Sequence, residues 1–571
     1  MDVLLTKFKS VLLRGYNILV KHILDEGVEY IFGYPGGAIM PIYDSIHSYS
    51  EQIFHILTRH EQGAIHAAQG YARVSKKIGV CMATSGPGAT NFITGLADAF
   101  TDSTPVLCIC GQVDSHFLGK NSFQETNIID ISFYITKWNA QVLLGQDLGI
   151  SLQKAFYIIN HGRISPVLID ITKDAQINKI SKEEAQYKVE YYKISRYCLS
   201  TYASYISYIE LLNSAKKPLV LVGHGVGLAK AEEELKNFIE KADLPVANTL
   251  LGIDLIDSTH PLFIGLLGMH GAFSTNLLTN QCDLLIAIGM RFDDRVTGDI
   301  YRYAHLAKVI HIDIDPCEIS KHIDCHISIL GNCKESLPLI TERLRKTTKK
   351  VWIDTFYNTK KCEEKIIIRD FNPEIDGPSM GEVIKYLNAY KDKDAVLATD
   401  VGQHQMSTSR YFYFSYRKSK VTSGGLGSMG FSIPAAIGAQ FGSKERQIIC
   451  IVGDGGIQMT IQELGTIMQN KLPIKIILFN NSFLGMVRQW QELFFERRYA
   501  FTKLLNPDFI QIAKSYDIES KKALERLSLK QEVKETLVYT STSFLEIVVE
   551  KEDNVFPMIT TGASVDEVRL I

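Results

Sequence analysis

Short apolar runs that end in Gly, Asp or Asn recur along this chain of 571 residues. Two of them, QIICIV and IKIILF, have the length and β-branched content of strands buried on both faces of a parallel sheet. The stretch TIQELGTIMQN between them has the composition of a helix. The same pattern in PVLCICG, PLVLVGHG, DLLIAIG and KVIHIDID predicts that strands and helices alternate along most of the chain.

The strand–helix pattern falls into three segments. We predict domains at residues 1–185, 195–345 and 375–571, with the charged stretch 346–374 as a linker before the last of them. The first and third segments both contain the short apolar runs that are typical of a parallel sheet, whereas VGHGVG in the second segment matches part of a Rossmann fingerprint. The predicted fold is therefore α/β, with two parallel-sheet domains of one type flanking a central Rossmann-like domain.

Composition and charge limit the classes of protein to which this chain can belong. Hydrophobic residues make up 46% and charged residues 22% of the chain, as is usual for globular proteins. The 61 basic and 63 acidic residues leave a net charge of −2, so we expect no nucleic-acid partner. No apolar run reaches the roughly 18 residues that a membrane span needs, so we expect no membrane partner.

The N-terminal residues and the cysteines give information about the cellular compartment of the protein. Lys7, Lys9 and Arg14 interrupt the first apolar residues at helical spacing, which predicts an amphipathic helix rather than a targeting peptide. The ten cysteines form no CxxC pair, and we expect reduced structural thiols in a reducing compartment. The abundance of Ile, Lys, Asn and Tyr is typical of AT-rich coding sequences. The expected location is a plastid stroma if the chain is organelle-encoded, and otherwise a bacterial cytoplasm.

Polar residues follow two of the predicted strands and suggest a metal site. Gly453-Asp454-Gly455 comes directly after QIICIV, and Asn480-Asn481 ends the next strand, IKIILF. The carboxyl ends of neighbouring parallel strands collect ligands, and a carboxylate and an amide oxygen suit Mg²⁺ bound to a diphosphate. The alternative is a tight Gly turn with Asp454 as a helix cap, which the paired Asn residues disfavour.

Glu61 narrows the choice of cofactor. It opens a predicted helix in RHEQGAIHAAQGYARVS, where a favourable interaction with the helix dipole is the simpler explanation. Together with Asp454 and Asn481, however, it resembles the thiamine diphosphate enzymes. In that family a glutamate here hydrogen-bonds N1′ of the aminopyrimidine and favours the tautomer that removes the C2 proton. Met429, in SGGLGSMGF, matches the apolar residue that holds the cofactor in its V shape.

Motifs along nearly the whole chain resemble the catalytic subunit of acetohydroxyacid synthase, also called acetolactate synthase. They are FGYPGGAIMPIYD, TSGPGATN, GQV, KWN, GMRFDDRVTG, TSGGLGSMGF, QMTIQEL and LGMVRQWQELFFERRY, in this order. The resemblance implies that pyruvate is decarboxylated to a hydroxyethyl carbanion on thiamine diphosphate. Condensation with pyruvate or 2-ketobutyrate then gives 2-acetolactate or 2-aceto-2-hydroxybutyrate, in valine, leucine and isoleucine biosynthesis.

The resemblance also implies site residues. Catalytic roles fall to Glu61, Gln112, Lys173, Met429 and Trp490. Thiamine diphosphate contacts are implied for Gly36, Glu61, Val401, Gly402, Gln403, His404, Met429, Gly453, Asp454, Gly455 and Asn481. The implied ligands of Mg²⁺ are Asp454, Asn481 and the backbone carbonyl of Phe483. Trp490 would form an apolar wall that favours 2-ketobutyrate as acceptor, and its simpler explanation is core packing.

A second cofactor, FAD, is implied for the central segment, where it takes no net redox part. Its implied contacts are Arg163, Gly223, Gly225, Leu267, Gly268, Met269, His270, Gly289, Arg291, Asp293, Arg295, Asp313 and Ile314. Guanidinium groups bind pyrophosphate well, so Arg291 and Arg295 would contact the pyrophosphate of FAD. The alternative for both is a surface ion pair with Asp293 or Asp294.

The resemblance also implies how the chain assembles, and two other functions remain as alternatives. In this family Glu61 and Asp454 of one active site come from different subunits, so we expect a homodimer or a higher homo-oligomer, with a small regulatory subunit as a further partner. The nearer alternative function is another thiamine diphosphate enzyme acting on 2-keto acids, such as pyruvate oxidase or a decarboxylase. The more distant one is a catalytically silent FAD-binding regulatory protein.

Overall fold

The computed structural model describes residues 13–181, 202–374, 377–415 and 418–570. The first turns of the expected N-terminal amphipathic helix lie outside these ranges, and a helix spans Gly15–Asp25. Within the described residues there are three six-stranded sheets, all parallel, each with helices packed against it. None of the helices in these ranges has the length and apolar character needed to span a bilayer.

The strand order distinguishes the three sheets. Numbered along the chain within each sheet, the order is 2-1-3-4-6-5 in both the first and the third sheet. In the middle sheet it is 3-2-1-4-5-6, the order of the Rossmann fold. This confirms the prediction of two domains of one type around a different, Rossmann-like one.

The first sheet belongs to the N-terminal domain. In spatial order its strands are Phe54–Leu57, Tyr30–Gly33, Gly79–Ala83, Val106–Gln112, Val167–Thr172 and Trp138–Val142. The α-helices after Gly15–Asp25 are Met40–His47, Glu61–Ser75, Pro87–Thr90, Ile93–Thr101, Ile128–Ser132, Leu148–Asn160 and Lys173–Ile177. The residues of its four inner strands are all buried, which explains the continuous apolar runs in the sequence, whereas the two edge strands are mostly half-buried or exposed.

The middle sheet consists of Phe263–Leu266, Val246–Asn248, Pro218–Val222, Leu284–Ile288, Lys308–Asp313 and Ile327–Leu330. Its α-helices are Tyr202–Ser214, His224–Leu228, Glu232–Ala242, Phe273–Thr279, Asp294–Thr297 and Cys333–Arg343. The stretch expected as a linker forms the helices Lys350–Lys360 and Glu364–Phe371. Trp352 and Phe356 of the first of these are buried against the middle sheet.

The third sheet consists of Lys420–Thr422, Val396–Thr399, Ile448–Gly453, Lys475–Asn480, Ser543–Val548 and Glu519–Ala523. Its α-helices are Met380–Tyr390, Gln403–Tyr411, Ser432–Gly442, Asp454–Thr460, Leu464–Asn470, Gly485–Phe494, Phe509–Ser515 and Arg526–Val538. The last residues return to the middle domain, where the N–H of Ile559 donates to the carbonyl of Met269 at 2.8 Å.

The first and third domains of the same chain share one hydrophobic core. It forms where the helices Glu61–Ser75 and Ser432–Gly442 cross. A side chain at Gly438 would overlap the carbonyl of Ala67, and one at Gly70 would overlap the carbonyl of Ala435. Because only glycine allows this approach, these two residues fix the distance between the crossing helices.

Candidate active site

The predicted diphosphate-binding residues lie at the carboxyl ends of adjacent strands of the third sheet. Val401, Gly402, Gln403 and His404 follow the strand Val396–Thr399, which pairs directly with the strand that ends at Gly453. This is the point where the strand order reverses, the usual place for a ligand in an open α/β sheet. The helix Gln403–Tyr411 begins here, so its free N–H groups face an incoming anion.

Two glycines at this edge make room for a ligand. Gly402 has φ +146°, a conformation that side-chain-bearing residues rarely adopt. A Cβ on Gly453 would lie 2.8 Å from the ring of His404. Burial lowers the pKa of His404 to about 3, so its imidazole is neutral, and its Nε2 has no hydrogen-bond partner among the described residues. A buried, unpartnered ring nitrogen beside a glycine cradle fits a site that is completed by a ligand.

The predicted metal ligands lie next to each other. Asp454 follows Gly453, which pairs with Phe479, so its carboxylate lies beside the end of the strand Lys475–Asn480. Asp454 is buried, and burial raises the pKa of its carboxyl group to about 6. The Oδ1 of Asn481 accepts the N–H of Phe483 at 3.0 Å, which fixes the turn that carries the Phe483 carbonyl. The arrangement brings together hard oxygen donors of the kind Mg²⁺ prefers.

The predicted residues of the N-terminal domain form a second group. Gly36, Glu61, Gln112 and Lys173 each follow or end a strand of the first sheet. The Oε2 of Glu61 accepts a hydrogen bond from Nδ2 of Asn91 at 2.8 Å. Lys173 is exposed at the start of a short helix. These residues therefore share one edge of the first sheet.

Gln112 is held by its neighbours. Its Nε2 donates to the carbonyl of Thr126 at 2.9 Å and to Oδ2 of Asp170 at 3.1 Å, and its Oε1 accepts the N–H of Val113 at 3.0 Å. Both hydrogens of the amide are used, so only Oε1 retains capacity toward a further group.

One large cavity, of about 1190 Å³, lies between the domains. It is lined on one side by residues of the middle domain and on the other by Val401, Gly402, Met429 and Trp490. Gly36, Glu61, Gln112 and Lys173 of the first domain are not among its lining residues, and neither are Gln403, His404, Gly453, Asp454, Gly455 and Asn481 of the third. Of the predicted thiamine diphosphate residues, Val401, Gly402 and Met429 line this cavity, and none of the first-domain residues does.

The predicted FAD residues line the same cavity. Twelve of the thirteen are among its lining residues, and Gly268 is the exception. The chain approaches itself closely here, because a side chain at Gly223 would overlap the carbonyl of Gly289, and a Cβ on Gly225 would lie 2.8 Å from the Cα of Gly289. These glycines follow neighbouring strands at the switch point of the middle sheet.

The arginines of this cavity form the ion pairs considered from the sequence and also line the cavity. Arg291 lies 3.7 Å from Asp293, and Arg295 lies 3.7 Å from Asp294, so the ion pairs exist but are loose. Both arginines also line the cavity. Arg163 is bound more tightly, with NH1 at 3.1 Å from Oδ2 of Asp315 and at 2.9 Å from Oε1 of Glu318. Three guanidinium groups therefore line the cavity, and two of them are weakly engaged, an arrangement that suits a pyrophosphate.

Comparisons with known proteins agree with this geometry. Residues 13–131 match the N-terminal TPP binding domain of thiamine pyrophosphate enzymes, residues 207–340 the central domain and residues 400–547 the C-terminal TPP binding domain. The chain is 39% identical to the acetolactate synthase isozyme 2 large subunit of Escherichia coli over 97% of this chain and 99% of the relative. It is 40% identical to the acetolactate synthase large subunit of Haemophilus influenzae and 39% identical to that of Cyanidium caldarium, with 98% of this chain covered in each case.

The chain belongs to the acetolactate synthase large-subunit family of thiamine pyrophosphate enzymes. The cofactors of this family are thiamine diphosphate, Mg²⁺ and FAD, and the residues present fit all three. The unpartnered Nε2 of His404 and the cradle at Gly453 suit a diphosphate, and Asp454 with Asn481 suits a hard cation. The glycine contacts around Gly289 and the arginines of the cavity suit a dinucleotide.

Asn506 is a residue of this site that the sequence did not reveal. Its Nδ2 donates to Oδ2 of Asp454 at 2.7 Å and to Oδ1 of Asn480 at 3.0 Å. Its Oδ1 accepts Nε2 of Gln458 at 3.1 Å. Asn506 thereby fixes the orientation of the Asp454 carboxylate. It lies in a separate loop after the helix Gly485–Phe494, and an Asn in a loop carries no sequence signal for this role.

Asp400 is a second residue missed from the sequence. Its buried carboxylate accepts the N–H groups of Gly430 and Ser432, each at 3.0 Å, and the hydroxyl of Ser432 at 3.0 Å. Burial raises its pKa and these hydrogen bonds oppose that rise. Asp400 thereby ties the end of the strand Val396–Thr399 to the backbone that follows Met429.

Replacing Asn506 by Ala is expected to weaken metal binding by about 10- to 100-fold, the usual effect of removing a group that orients a metal ligand. Asp454 then loses a hydrogen bond to its Oδ2 and rotates more freely. The measurement is titration of Mn²⁺, as a substitute for Mg²⁺, by electron paramagnetic resonance in the presence of thiamine diphosphate.

The matched control is Asn470→Ala, because the side chain of Asn470 donates to the carbonyl of Thr466 within its own helix. It should leave the affinity for Mn²⁺ unchanged. Equal affinities in Asn506→Ala and the unaltered protein would show that Asp454 does not depend on Asn506.

Proposed function

We propose that this chain catalyses the condensation of two pyruvate molecules to 2-acetolactate and CO₂, and of pyruvate with 2-ketobutyrate to 2-aceto-2-hydroxybutyrate. The observation that carries this proposal is similarity along essentially the whole length of several acetolactate synthase large subunits. The residues that this chemistry requires, Glu61, Asp454 and Asn481, all lie at the carboxyl ends of parallel strands. The reaction belongs to the synthesis of branched-chain amino acids.

The cofactor end is held by the third domain. Thiamine diphosphate, when bound, supplies the electron sink for decarboxylation and the nucleophilic carbon for the condensation. Asp454, Asn481 and the carbonyl of Phe483 hold Mg²⁺, and Gly402 to His404 lie where the diphosphate is expected. The role of Glu61 is to hold and transfer a proton at the aminopyrimidine. Met429 supports the cofactor from the cavity side.

The substrate side combines polar and apolar residues. Gln112 and Lys173 approach the substrate from the first domain, where Lys173 offers an exposed ammonium group to a carboxylate. Trp490 lies on the helix Gly485–Phe494, is half-buried and lines the cavity beside Met486 and Val487. An apolar wall of this kind rewards the extra methylene of 2-ketobutyrate.

We further propose that a complete active site needs two copies of the chain. Glu61 and Gly36 of a chain lie outside the cavity that its own Met429, Val401 and Trp490 line, and we infer that they serve the site of another copy. The assembly is a homodimer or a multiple of it, with a small regulatory subunit as a further partner. The proposed compartment is a bacterial cytoplasm or a plastid stroma.

Product analysis tests the proposed activity. With pyruvate, Mg²⁺, thiamine diphosphate and FAD, the purified protein should form 2-acetolactate, and chelation of Mg²⁺ should abolish the product. A pyruvate oxidase would form acetyl phosphate or acetate, and a decarboxylase would form acetaldehyde. Either of these as the main product, or no product at all from cofactor-loaded protein, would refute the proposal.

Replacing Trp490 by Leu should lower the preference for 2-ketobutyrate over pyruvate as acceptor by about 10-fold or more, since one methylene in an apolar pocket is worth about 1 to 3 kcal/mol. The measurement is the ratio of the two products when both acceptors compete. Phe494→Leu is the control, because its ring contacts Trp490 at a centroid distance of 5.1 Å but is not among the residues that line the cavity. An unchanged ratio in Trp490→Leu would remove Trp490 from the acceptor site.

Mixing two inactive variants tests the shared active site. Glu61→Gln should lower the rate by about 100-fold or more, as loss of a proton-transfer group does, and Asp454→Asn should abolish metal binding. Co-expressed with different tags, the two chains form mixed dimers in which one site is intact. A random mixture should recover about a quarter of the unaltered activity.

The control co-expresses the unaltered chain with a chain carrying both substitutions. Their mixed dimers contain no intact site if Glu61 and Asp454 come from different copies. Each site is formed within one chain if the purified mixed dimers of the two single variants remain inactive while the purified mixed dimers of the control pair are active.

A further inference from the structure

A buried cluster of charged side chains connects the first domain to the loop that carries Met429. It consists of Arg73, Asp98 and Asp102, and we call it the carboxylate cluster. Arg73 lies on the helix Glu61–Ser75, Asp98 on the helix Ile93–Thr101, and Asp102 directly after that helix. The guanidinium of Arg73 lies 2.8 Å from the carboxylate of Asp102, and the two side chains are 3% and 0% exposed.

Most of the cluster's hydrogen bonds reach across to the third domain. The two oxygens of Asp102 accept the backbone N–H groups of Gly424 at 2.9 Å and Gly425 at 2.7 Å. Asp98 accepts the hydroxyl of Ser423. Arg73 donates to the carbonyl of Thr422. The cluster therefore binds four consecutive residues, mostly through their backbone.

These contacts close the loop that ends at Met429. The hydroxyl oxygen of Ser423 accepts the N–H of Ser428 at 2.7 Å, so residues 423–428 form one closed turn. A Cβ on Gly425 would overlap Thr101 and lie 2.9 Å from NH2 of Arg291. The loop is thus confined between the first domain and Arg291 of the middle domain, and it has little room to move without breaking the contacts with Asp102.

The loop lines the cavity that the predicted FAD residues also line. Gly424, Gly425, Leu426, Gly427 and Met429 are all among its lining residues, as are Thr101 and Asp102. Met429 follows the closed turn directly. From its other side, Asp400 accepts the N–H of Gly430 at 3.0 Å. The backbone around Met429 is therefore anchored by a carboxylate on each side, one from each domain.

The charges of the cluster are consistent with this role. Burial, followed by the nearby charge of Asp102, raises the pKa of Asp98 well above that of an ordinary carboxyl group. A protonated Asp98 leaves one carboxylate, Asp102, opposite one guanidinium, Arg73. A buried pair of this kind adds little stability compared with an apolar contact, so its directed hydrogen bonds to the loop are the better reason for its presence.

We propose that Arg73, Asp98 and Asp102 are positioning residues of the active site, which hold the loop Ser423–Met429 so that Met429 supports the cofactor. The proposal rests on the function proposed above. It gives the first domain two separate tasks. Its Glu61 serves the cofactor site completed by another copy of the chain, and its carboxylate cluster fixes the wedge residue of the cavity in its own chain.

The substitution Asp102→Asn tests the proposal. It keeps the shape of the side chain but leaves one acceptor oxygen for the N–H groups of Gly424 and Gly425, and it removes the negative charge that faces Arg73. The readout is hydrogen exchange of the backbone amides in residues 423–430 of the cofactor-free protein. We expect exchange of this segment to become about tenfold faster or more, while the strands of the third sheet keep their protection. In the loaded enzyme, kcat should fall and the concentration of thiamine diphosphate for half-saturation should rise.

Two further variants keep the test sharp. Ser423→Ala removes the hydroxyl that donates to Asp98 and that also accepts the N–H of Ser428. Even if Asp102→Asn does not fold, a smaller increase in exchange at amides of the segment other than that of Ser428 therefore reports the loss of the contact with Asp98. Asp130→Asn is the control, because Asp130 is an exposed carboxylate of the same domain that contacts Asn127. It should change neither exchange nor kcat.

Unchanged exchange of residues 423–430 in both Asp102→Asn and Ser423→Ala would overturn the proposal. So would faster exchange spread evenly over the third domain, since that is the result of a purely structural contact. Failure of the proposed function is recognised separately, because the unaltered protein would then form no acetolactate, whereas the exchange experiment needs no substrate or cofactor.

Discussion

The parallel sheet is the constraint on which the rest of the structure depends. In each of the three sheets, the strand order reverses between two neighbouring strands, and a crevice lies outside the carboxyl ends of those strands. The first sheet places Gly36 at this point, the middle sheet places Gly223 and Gly289 there, and the third places Gly402 and Asp454 there. The same backbone geometry therefore gives each sheet a place where a cofactor can bind, and the side chains around each place determine which ligand it suits.

A second constraint, the glycine contact between the first and third domains, determines what those environments share. The helices Glu61–Ser75 and Ser432–Gly442 approach until backbone meets backbone at Gly70 and Gly438. One of these helices begins at Glu61, and the other begins just after Met429 and Phe431. Because both helices are fixed in one core, the contact aligns Glu61 and the Met429 loop without opening them to the same cavity. This packing within one copy is consistent with the active site shared between copies that we propose.

The sequence predicts those parts of the fold and site that depend on short stretches of chain. The strand before Asp454, the strand that ends at Asn480, and the Rossmann-like middle domain follow from apolar runs and their terminal residues. The roles of Asn506 and Asp102 do not, because their partners lie 52 and more than 300 residues away and only the folded chain brings them together. From the sequence, ion pairs of Arg291 and Arg295 are the alternative to a ligand contact, and only the structure shows that the pairs are loose and that both guanidinium groups still line the cavity.

The polar groups that these constraints collect are arranged for ligands more than for stability. Burial raises the pKa of Asp313 and Asp454 to about 6 and lowers that of His270 to about 4, so each charged form is disfavoured in the protein alone. Nδ1 of His270 and Nε2 of His404 lack hydrogen-bond partners within the described residues. A bound cation favours the ionised carboxylate, and a polar ligand supplies the missing hydrogen bonds. Binding of the cofactors is therefore coupled to folding, and the loaded protein is the more stable one.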